Sequence, residues 1–363
     1  MKEVAIKEIC TKGSSSLKQK ELLPEGKYPV YGASGIAGYL DTFHQESNYI
    51  GIVKDGSGIG RVAFYPEKTS LIGTMQYILP KKGFNIRYIG YCLQSLDLSK
   101  YKQGAAIPHI YFRDYGERIV KVTDDENEQL SIVSRLDAAF AHIDALKANA
   151  EKQLAEARQL FQAELAECMR PKEGWEEKKI KDVGEVIGGT TPSTSNSEFW
   201  GGDICWISPA ELHGEHYLYD SVKKITPKAV AAKSLKELPE GTVILSSRAP
   251  IGKIAINKVP MYCNQGFKCV VCGPELFNEY LYWWFYGKKD YLNSLGTGAT
   301  FPEISKTVVE DIVIPIAPMN EQQSIVSHLD ALSANIKKLE EVQRKTLAEC
   351  DALKQAMLRE VFE

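Results

Sequence analysis

NEQLSIVSRLDA occupies residues 127–138 and NEQQSIVSHLDA occupies residues 320–331. Ten of the twelve letters agree across a separation of 193 residues. The echo extends outward from both copies. GAAIPHI at 104–110 answers GATFPEI at 298–304, IGRVAF at 59–64 answers IGKIAI at 251–256, and AIKEI at 5–9 answers KIKDV at 179–183. The offset drifts while the order stays fixed. That is the mark of one architecture written twice with loops of different length.

The segment after each phrase is helical. Residues 126–169 and 320–362 contain neither Gly nor Pro and are rich in Ala, Glu, Leu, Gln and Lys. Apolar residues at alternating spacings of three and four predict a coiled-coil seam. The seam residues are Ile132, Leu136, Ile143 and Leu146 in the first run, and Ile325, Leu329, Leu332, Ile336 and Leu339 in the second. Cys350, Leu353 and Met357 continue the second stripe. Asn127 and Asn320 are the expected N-caps. A helix that buries one stripe needs a partner, so the two runs are expected to pack antiparallel, each spanning roughly 60 Å. The expected domains are therefore 1–123, a first spacer helix over 124–170, a second globular unit over 171–319 and a second spacer helix over 320–363. YIGIVK, RVAFY, MQYILP, TVILSS and KIAIN read as strands. Residues 88–102 and 277–295 read as short helices, which makes the fold class mixed α/β.

Bulk composition sets limits. The net charge is −3 and 44% of residues are hydrophobic, ordinary for a globular chain. The charge is unevenly placed. Residues 1–123 carry 17 Lys and Arg against 11 Asp and Glu, whereas 124–168 carry 4 against 10. A basic block attracts phosphate. No apolar run is long enough to span a bilayer, and the start lacks a signal-peptide core, so a cytoplasmic location is expected. Eight scattered cysteines read as reduced thiols. The single C-x-x-C, Cys269 and Cys272, lies in a strand-like run that points the two thiols to opposite faces.

No catalytic constellation emerges. KDGSGIGR at 54–61 has the glycines of a dinucleotide loop, but it runs into VAFY, a strand, rather than opening a helix. A tight hairpin with a basic residue at its far side fits both this stretch and SSRAPIGK at 246–253. HGEH at 213–216 lacks helical zinc spacing and reads as an exposed loop. No metal or cofactor site is expected in this chain.

Both halves instead share polar, glycine-bearing loops, whose residue types suit contacts to phosphates and base edges. In the first half these are KGSSSLKQK, KDGSGIGR, GTMQYI and KQGAAIPHIYFR. In the second they are GGTTPSTSN, SSRAPIGK, YCNQGFK and GTGATFPEI. The candidate DNA contacts are Lys54, Arg61, Gln76, Lys102, Gln103 and His109, with Thr191, Ser193, Thr194, Arg248, Lys253, Asn264, Gln265 and Thr300 in the second half.

With the duplicated phrases, YPVYGASGIAGYLDTF at 28–43, KIKDVGEVIGGTTPSTSNSEFWGGDICWISPAEL at 179–212 and GTGATFPEISKTVVEDIVIPIAPMNEQQSIVSHLDAL at 296–332, the chain resembles the specificity subunits of type I restriction–modification systems along nearly its whole length. The resemblance implies two target recognition domains, each reading half of a split site in double-stranded DNA, held by antiparallel spacer helices. It implies docking of two modification (methyltransferase) subunits, to which a restriction subunit can be added. S-adenosylmethionine, and ATP with Mg where cleavage occurs, would belong to those partners, and this chain would be non-catalytic. Trp175 departs from the duplication, since the first half has no counterpart to it. Two other classes stand against this reading. A plain coiled-coil scaffold leaves the repeated loops unexplained, and a single-chain methyltransferase would need a cofactor loop and a catalytic tetrad.

Overall fold

The computed structural model describes residues 1–104, 108–298 and 302–363. It divides into two compact units, Met1–Lys152 with Val342–Glu363, and Gln153–Glu341. The two long helices run Glu126–Cys168 and Met319–Phe362, and each contributes to both units.

The first unit opens with an antiparallel ribbon, Lys2–Ala5 against Ile119–Val122. A four-stranded sheet comes next in the order Cys10–Ser14, Met75–Pro80, Tyr49–Val53, Val62–Tyr65. A smaller sheet sets Tyr28–Gly32 between Gly35–Leu40 and Ser70–Leu71, the last pair being parallel. Every residue of the strand YIGIV is buried, as an apolar run of that length requires. Helix Ile86–Ser95 covers the larger sheet with Tyr88, Ile89, Cys92 and Leu93. Asn85 caps it, accepting from the backbone N–H of Arg87 at 2.8 Å and of Tyr88 at 3.2 Å.

The second unit repeats this plan. Its ribbon is Glu176–Lys179 against Val313–Ile316. Its main sheet runs Gly184–Gly188, Lys268–Cys272, Val243–Leu245, Ile254–Asn257, and adds Tyr217–Leu218 in parallel at the edge. Trp200–Ile207 lies between Lys223–Ile225 and Tyr262–Cys263, the latter again parallel. Helix Asn278–Gly287 buries Tyr280, Leu281, Trp283 and Phe285. Cys269 and Cys272 join different apolar clusters, as alternation along a strand requires. All eight cysteines are free thiols. Among the described residues no helix is long and apolar enough to cross a membrane.

The duplicated phrase is where helix and unit are joined. Gln129 is fully buried and donates to the carbonyls of Gly83 (2.9 Å) and Thr123 (3.1 Å), while its Oε1 accepts from the Asn85 N–H at 2.7 Å. Gln322 does the same in the second unit. It donates to Glu275 O (2.8 Å) and Ala317 O (2.7 Å) and accepts from Phe277 N–H at 2.8 Å. Over the next two turns, Ile132, Val133 and Leu136 enter the first core, and Ile325, Val326 and Leu329 enter the second. Then Asp137 accepts from Tyr91 and from Arg87 (2.6 Å), and Asp330 accepts from Trp283 Nε1 at 2.9 Å.

The expected seam is corrected by this arrangement. Ile132, Leu136, Ile325 and Leu329 face the globular cores at the helix roots. Ile143 is buried in the cluster that holds Phe140, Cys350, Leu358 and Phe362. Leu332 and Ile336 are partly buried and Leu339 half-buried, but Leu146 is 57% exposed and Leu353 51%. A three-four alternation in sequence does not distinguish a helix-facing stripe from one that turns from core to solvent. The N-caps also move. Asp125, not Asn127, accepts from the Asn127 and Glu128 N–H groups, at 2.8 and 3.2 Å. The second helix begins at Met319, so Asn320 lies in its first turn.

Within each unit the helix segments run antiparallel. In the first unit Asp144 pairs with Lys354 at 2.5 Å and Lys147 with Asp351 at 2.7 Å. In the second, Arg158 pairs with Glu340 at 2.6 Å and Glu164 with His328 at 3.0 Å. These exposed pairs set register more than they add stability. The buried glutamines carry the joint, because either loss strands one N–H and two carbonyls. Gln129→Leu or Gln322→Leu is therefore expected to cost about 2–3 kcal/mol, read as a lower urea midpoint with unchanged slope.

Candidate nucleic-acid interface

In the first unit the four polar loops converge through backbone bonds. The hairpin 54–61 joins Tyr49–Val53 to Val62–Tyr65, with Gly56, Gly58 and Gly60 at φ of 83°, 82° and 84°, a region only glycine enters freely. Lys54 and Asp55 N–H both donate to Thr74 O, at 3.0 and 3.2 Å, and Ile110 N–H donates to Lys54 O at 2.9 Å. Gly73 N–H reaches Leu17 O at 2.8 Å. Gln103 and His109 exchange two backbone bonds of 2.8 Å. On this clasp His109 Nδ1 meets Asp55 Oδ1 at 2.6 Å, Lys54 Nζ lies 3.8 Å from Asp55, and Gln103 Nε2 donates to Asp114 at 2.9 Å.

The second unit builds the same clasp from other side chains. Ser247 N–H donates to Gly266 O and Ile304 N–H to Ser247 O, both at 2.8 Å. Thr297 and Glu303 exchange backbone bonds of 3.0 and 2.9 Å. Arg248 Nε meets Glu303 Oε2 at 2.9 Å, where the first unit has Asp55 and His109. The acid and the base have changed places. Lys268 is buried behind them, 3.3 Å from Glu303 Oε1 and 3.2 Å from both Ser247 Oγ and Gln265 O. Burial pushes the Glu303 carboxyl up, but hydrogen bonds from Arg248 and Lys268 outweigh it and hold it below the usual carboxylate range. Thr191 Oγ1 donates to Gln265 Oε1, and Thr190 N–H reaches Cys263 O at 2.9 Å. Asn264 Oδ1 turns back onto Gly266 N–H at 2.9 Å. Ser193 Oγ lies 2.9 Å from Ser195 Oγ, and its carbonyl accepts from Trp200 Nε1 at 3.1 Å.

Several expectations change. Gln76 is 5% exposed and its amide donates to Tyr115 OH, so it is a core group of the strand Met75–Pro80 and not a surface reader. Lys253 gives its ammonium to the carbonyls of Pro209 (3.0 Å) and Leu212 (2.8 Å), which pins a turn and leaves little for a phosphate. Thr300 lies outside the described residues. Arg61, Lys102 and Thr194 are exposed and make no side-chain hydrogen bond or ion pair among the described residues. HGEH is exposed only in part. His216 is stacked on Tyr282, with ring centroids 3.7 Å apart, and lies 2.8 Å from Glu279. Sequence reasoning passed over Asp55, Glu303 and Lys268, which organise the loops, and over exposed Tyr111 with the Arg113 guanidinium 4.6 Å over its ring. Only the recurrence of PHI and PEI pointed to positions 109 and 303.

The family model for the type I restriction modification DNA specificity domain matches residues 1–156 and 172–349. The chain belongs to this family. It is 45% identical over 182 residues to the type I restriction enzyme MjaIX specificity subunit of Methanocaldococcus jannaschii, covering 48% of this chain and 42% of that one. It is 28% identical over 255 residues to the EcoR124I/EcoR124II specificity subunit of Escherichia coli, covering 68% and 62%. The aligned stretches thus span about half the length of these curated relatives. Among solved structures, a chain described for complex assembly and conformational transition of the type I R-M system superposes with a TM-score of 0.78 at 17% identity, over 99% of this chain and 97% of that one. The HsdS subunit of Thermoanaerobacter tengcongensis gives 0.57 at 18%, over 99% and 96%. At these identities the likeness is one of fold, a specificity-subunit fold of two mixed α/β domains with long helices.

In this fold the Glu303 clasp is separable from any ligand. Glu303→Gln leaves the Lys268 ammonium buried without a carboxylate and is expected to cost about 2 kcal/mol. Because the folded Glu303 is the stronger acid, its contribution is complete above the unfolded value near about 4.3 and is lost as pH falls through the lower folded value. Thermal melts of the Gln variant should therefore lose less stability than the parent between about pH 5 and 3. His109→Ala, at a more exposed pair, should cost under about 1 kcal/mol.

Proposed function

We propose that the chain is the DNA-reading subunit of a type I restriction–modification complex, and that its two units read the two halves of a split target in double-stranded DNA. The observation that carries this reading is the pair of loop clasps. Their backbone bonds correspond while the side chains they present differ, with Asp55 and His109 replaced by Arg248 and Glu303. A scaffold kept in its main chain and varied in its polar side chains is what two different base readouts require. A plain coiled-coil scaffold has no use for it.

In this reading Lys54, Arg61, Lys102, Gln103 and His109 serve one half-site. Thr191, Ser193, Thr194, Arg248, Asn264 and Gln265 serve the other. The chain itself performs no chemistry. Two modification subunits supply S-adenosylmethionine and transfer methyl groups to adenine, and a restriction subunit with ATP and Mg can join them in the cytosol. Exposed apolar side chains on the long helices, Leu146 and Val342 in the first unit and Leu160 in the second, suit the docking of such partners. Partner surfaces would also supply phosphate contacts that a chain of net charge −3 lacks.

The adenine methylome of the host, with this gene intact and deleted, tests the reading. Loss of one motif made of two defined parts around a fixed gap is expected, and retention of every motif in a host shown to express the complex would reject it. Arg248→Ala should weaken binding by about 1–3 kcal/mol and relax one position of the second half-site. Four residues inserted into the exposed middle of one long helix add about 6 Å and should change the gap while both halves stay the same.

A further inference from the structure

We propose that the second unit carries a site for one zinc-type divalent ion between its two helix segments, formed by Glu164, Cys168 and His328. Glu164 and Cys168 are one turn apart on the first long helix and so share a face. His328 comes from the antiparallel segment of the second. One donor atom from each lies within 4.8 Å of the other two. His328 Nε2 is 3.0 Å from Glu164 Oε1, and Cys168 Sγ is 3.8 Å from the same oxygen. Tetrahedral zinc, with bonds of about 2.0–2.3 Å, needs its donors roughly 3.4–3.6 Å apart. The two separations from Glu164 bracket that value and the third is within 4.8 Å, so small side-chain rotations bring the three donors to it.

The donor set selects the metal. A thiol, an imidazole and a carboxylate suit zinc, whereas magnesium and calcium want oxygen alone. Charge also fits, since a thiolate and a carboxylate neutralise a divalent ion and leave a fourth position for water. Lys172 is a cation that acts on the Cys168 thiol, but its ammonium is directed to Glu321 at 3.5 Å and over the Trp175 ring. The duplication supplies an internal comparison. At the corresponding places 193 residues away stand Arg135, Met357 and Val361, which line a pocket in the first unit. The twin thus has a cation and two apolar groups where this unit has three ligand types. The repeated phrase differs at that very letter, Arg135 against His328. A bound ion ties the two helix segments of the second unit together and fixes their register close to the Gln322 joint. No sequence motif announces it, because the ligands lie 160 residues apart between Cys168 and His328.

Cobalt(II) added to the full-length chain is the probe. One equivalent should give the strong visible bands of a tetrahedral site and a thiolate-to-cobalt charge-transfer band, and zinc should displace it and raise the Tm. Cys168→Ser and His328→Gln should abolish the bands. Glu164→Gln, a near-isosteric exposed change, guards against misfolding and should weaken binding by more than the about 10–100-fold that loss of a merely orienting residue produces. Cys205→Ser is the control, since Lys224 Nζ already sits 3.1 Å from that sulfur, and it should leave the spectrum intact. A wild-type chain without cobalt bands, or bands that survive Cys168→Ser, overturns the proposal and leaves an ordinary His328–Glu164 ion pair.

Discussion

A single buried glutamine at the root of each long helix holds each globular unit to its helix. Gln129 and Gln322 each satisfy three main-chain groups on two other segments, the loop before the short helix and the end of the ribbon, and so join both to the long helix. No apolar residue can do this, and a charged one would be expensive to bury. The bonds fix how the ribbon end, the entry to the short helix and the first turn of the long helix meet. The isoleucine, valine and leucine that come next then have only one core to enter. Asp137 and Asp330, two turns further on, fasten the long helix to the short one through Arg87 and Tyr91 in one unit and Trp283 in the other. The duplicated twelve-residue phrase is thus a complete joint.

Because the joint is identical in kind in the two units, the loops at the strand ends of each sheet can vary. Their main chains are tied to one another by corresponding bonds, so their polar side chains are not needed to hold the loops together, although some also do so. Lys268 and Glu303 show the mixture. They support the 246–253 hairpin from behind while Arg248 remains half-exposed in front. Lys253 has gone over entirely to support, and Gln76 is its buried counterpart in function if not in position.

The long helices divide their length between two tasks. Near each root their apolar residues belong to a globular core. Further along, in each unit, Leu146, Leu160, Val342 and Leu353 are left facing outward, although the antiparallel segments are held by four cross-helix pairs. Periodicity records that a residue lies on a stripe. It does not record what lies opposite.

The sequence by itself determined the duplication, the two helical runs, the strands that line the sheets, the hairpin reading of KDGSGIGR and the opposite-facing thiols of Cys269 and Cys272. Each of these comes from local spacing or from comparison of one half with the other. Only the tertiary structure decided which side chains are spent internally. Gln76 and Lys253 carry the same letters as surface readers would, and their internal use depends on partners 39 and more residues away. The same holds for Asp55 with His109, Arg248 with Glu303, and Glu164 and Cys168 with His328. A pair formed across 54 to 164 residues leaves no period in the chain, because it is created by the packing of elements and not by the spacing of letters.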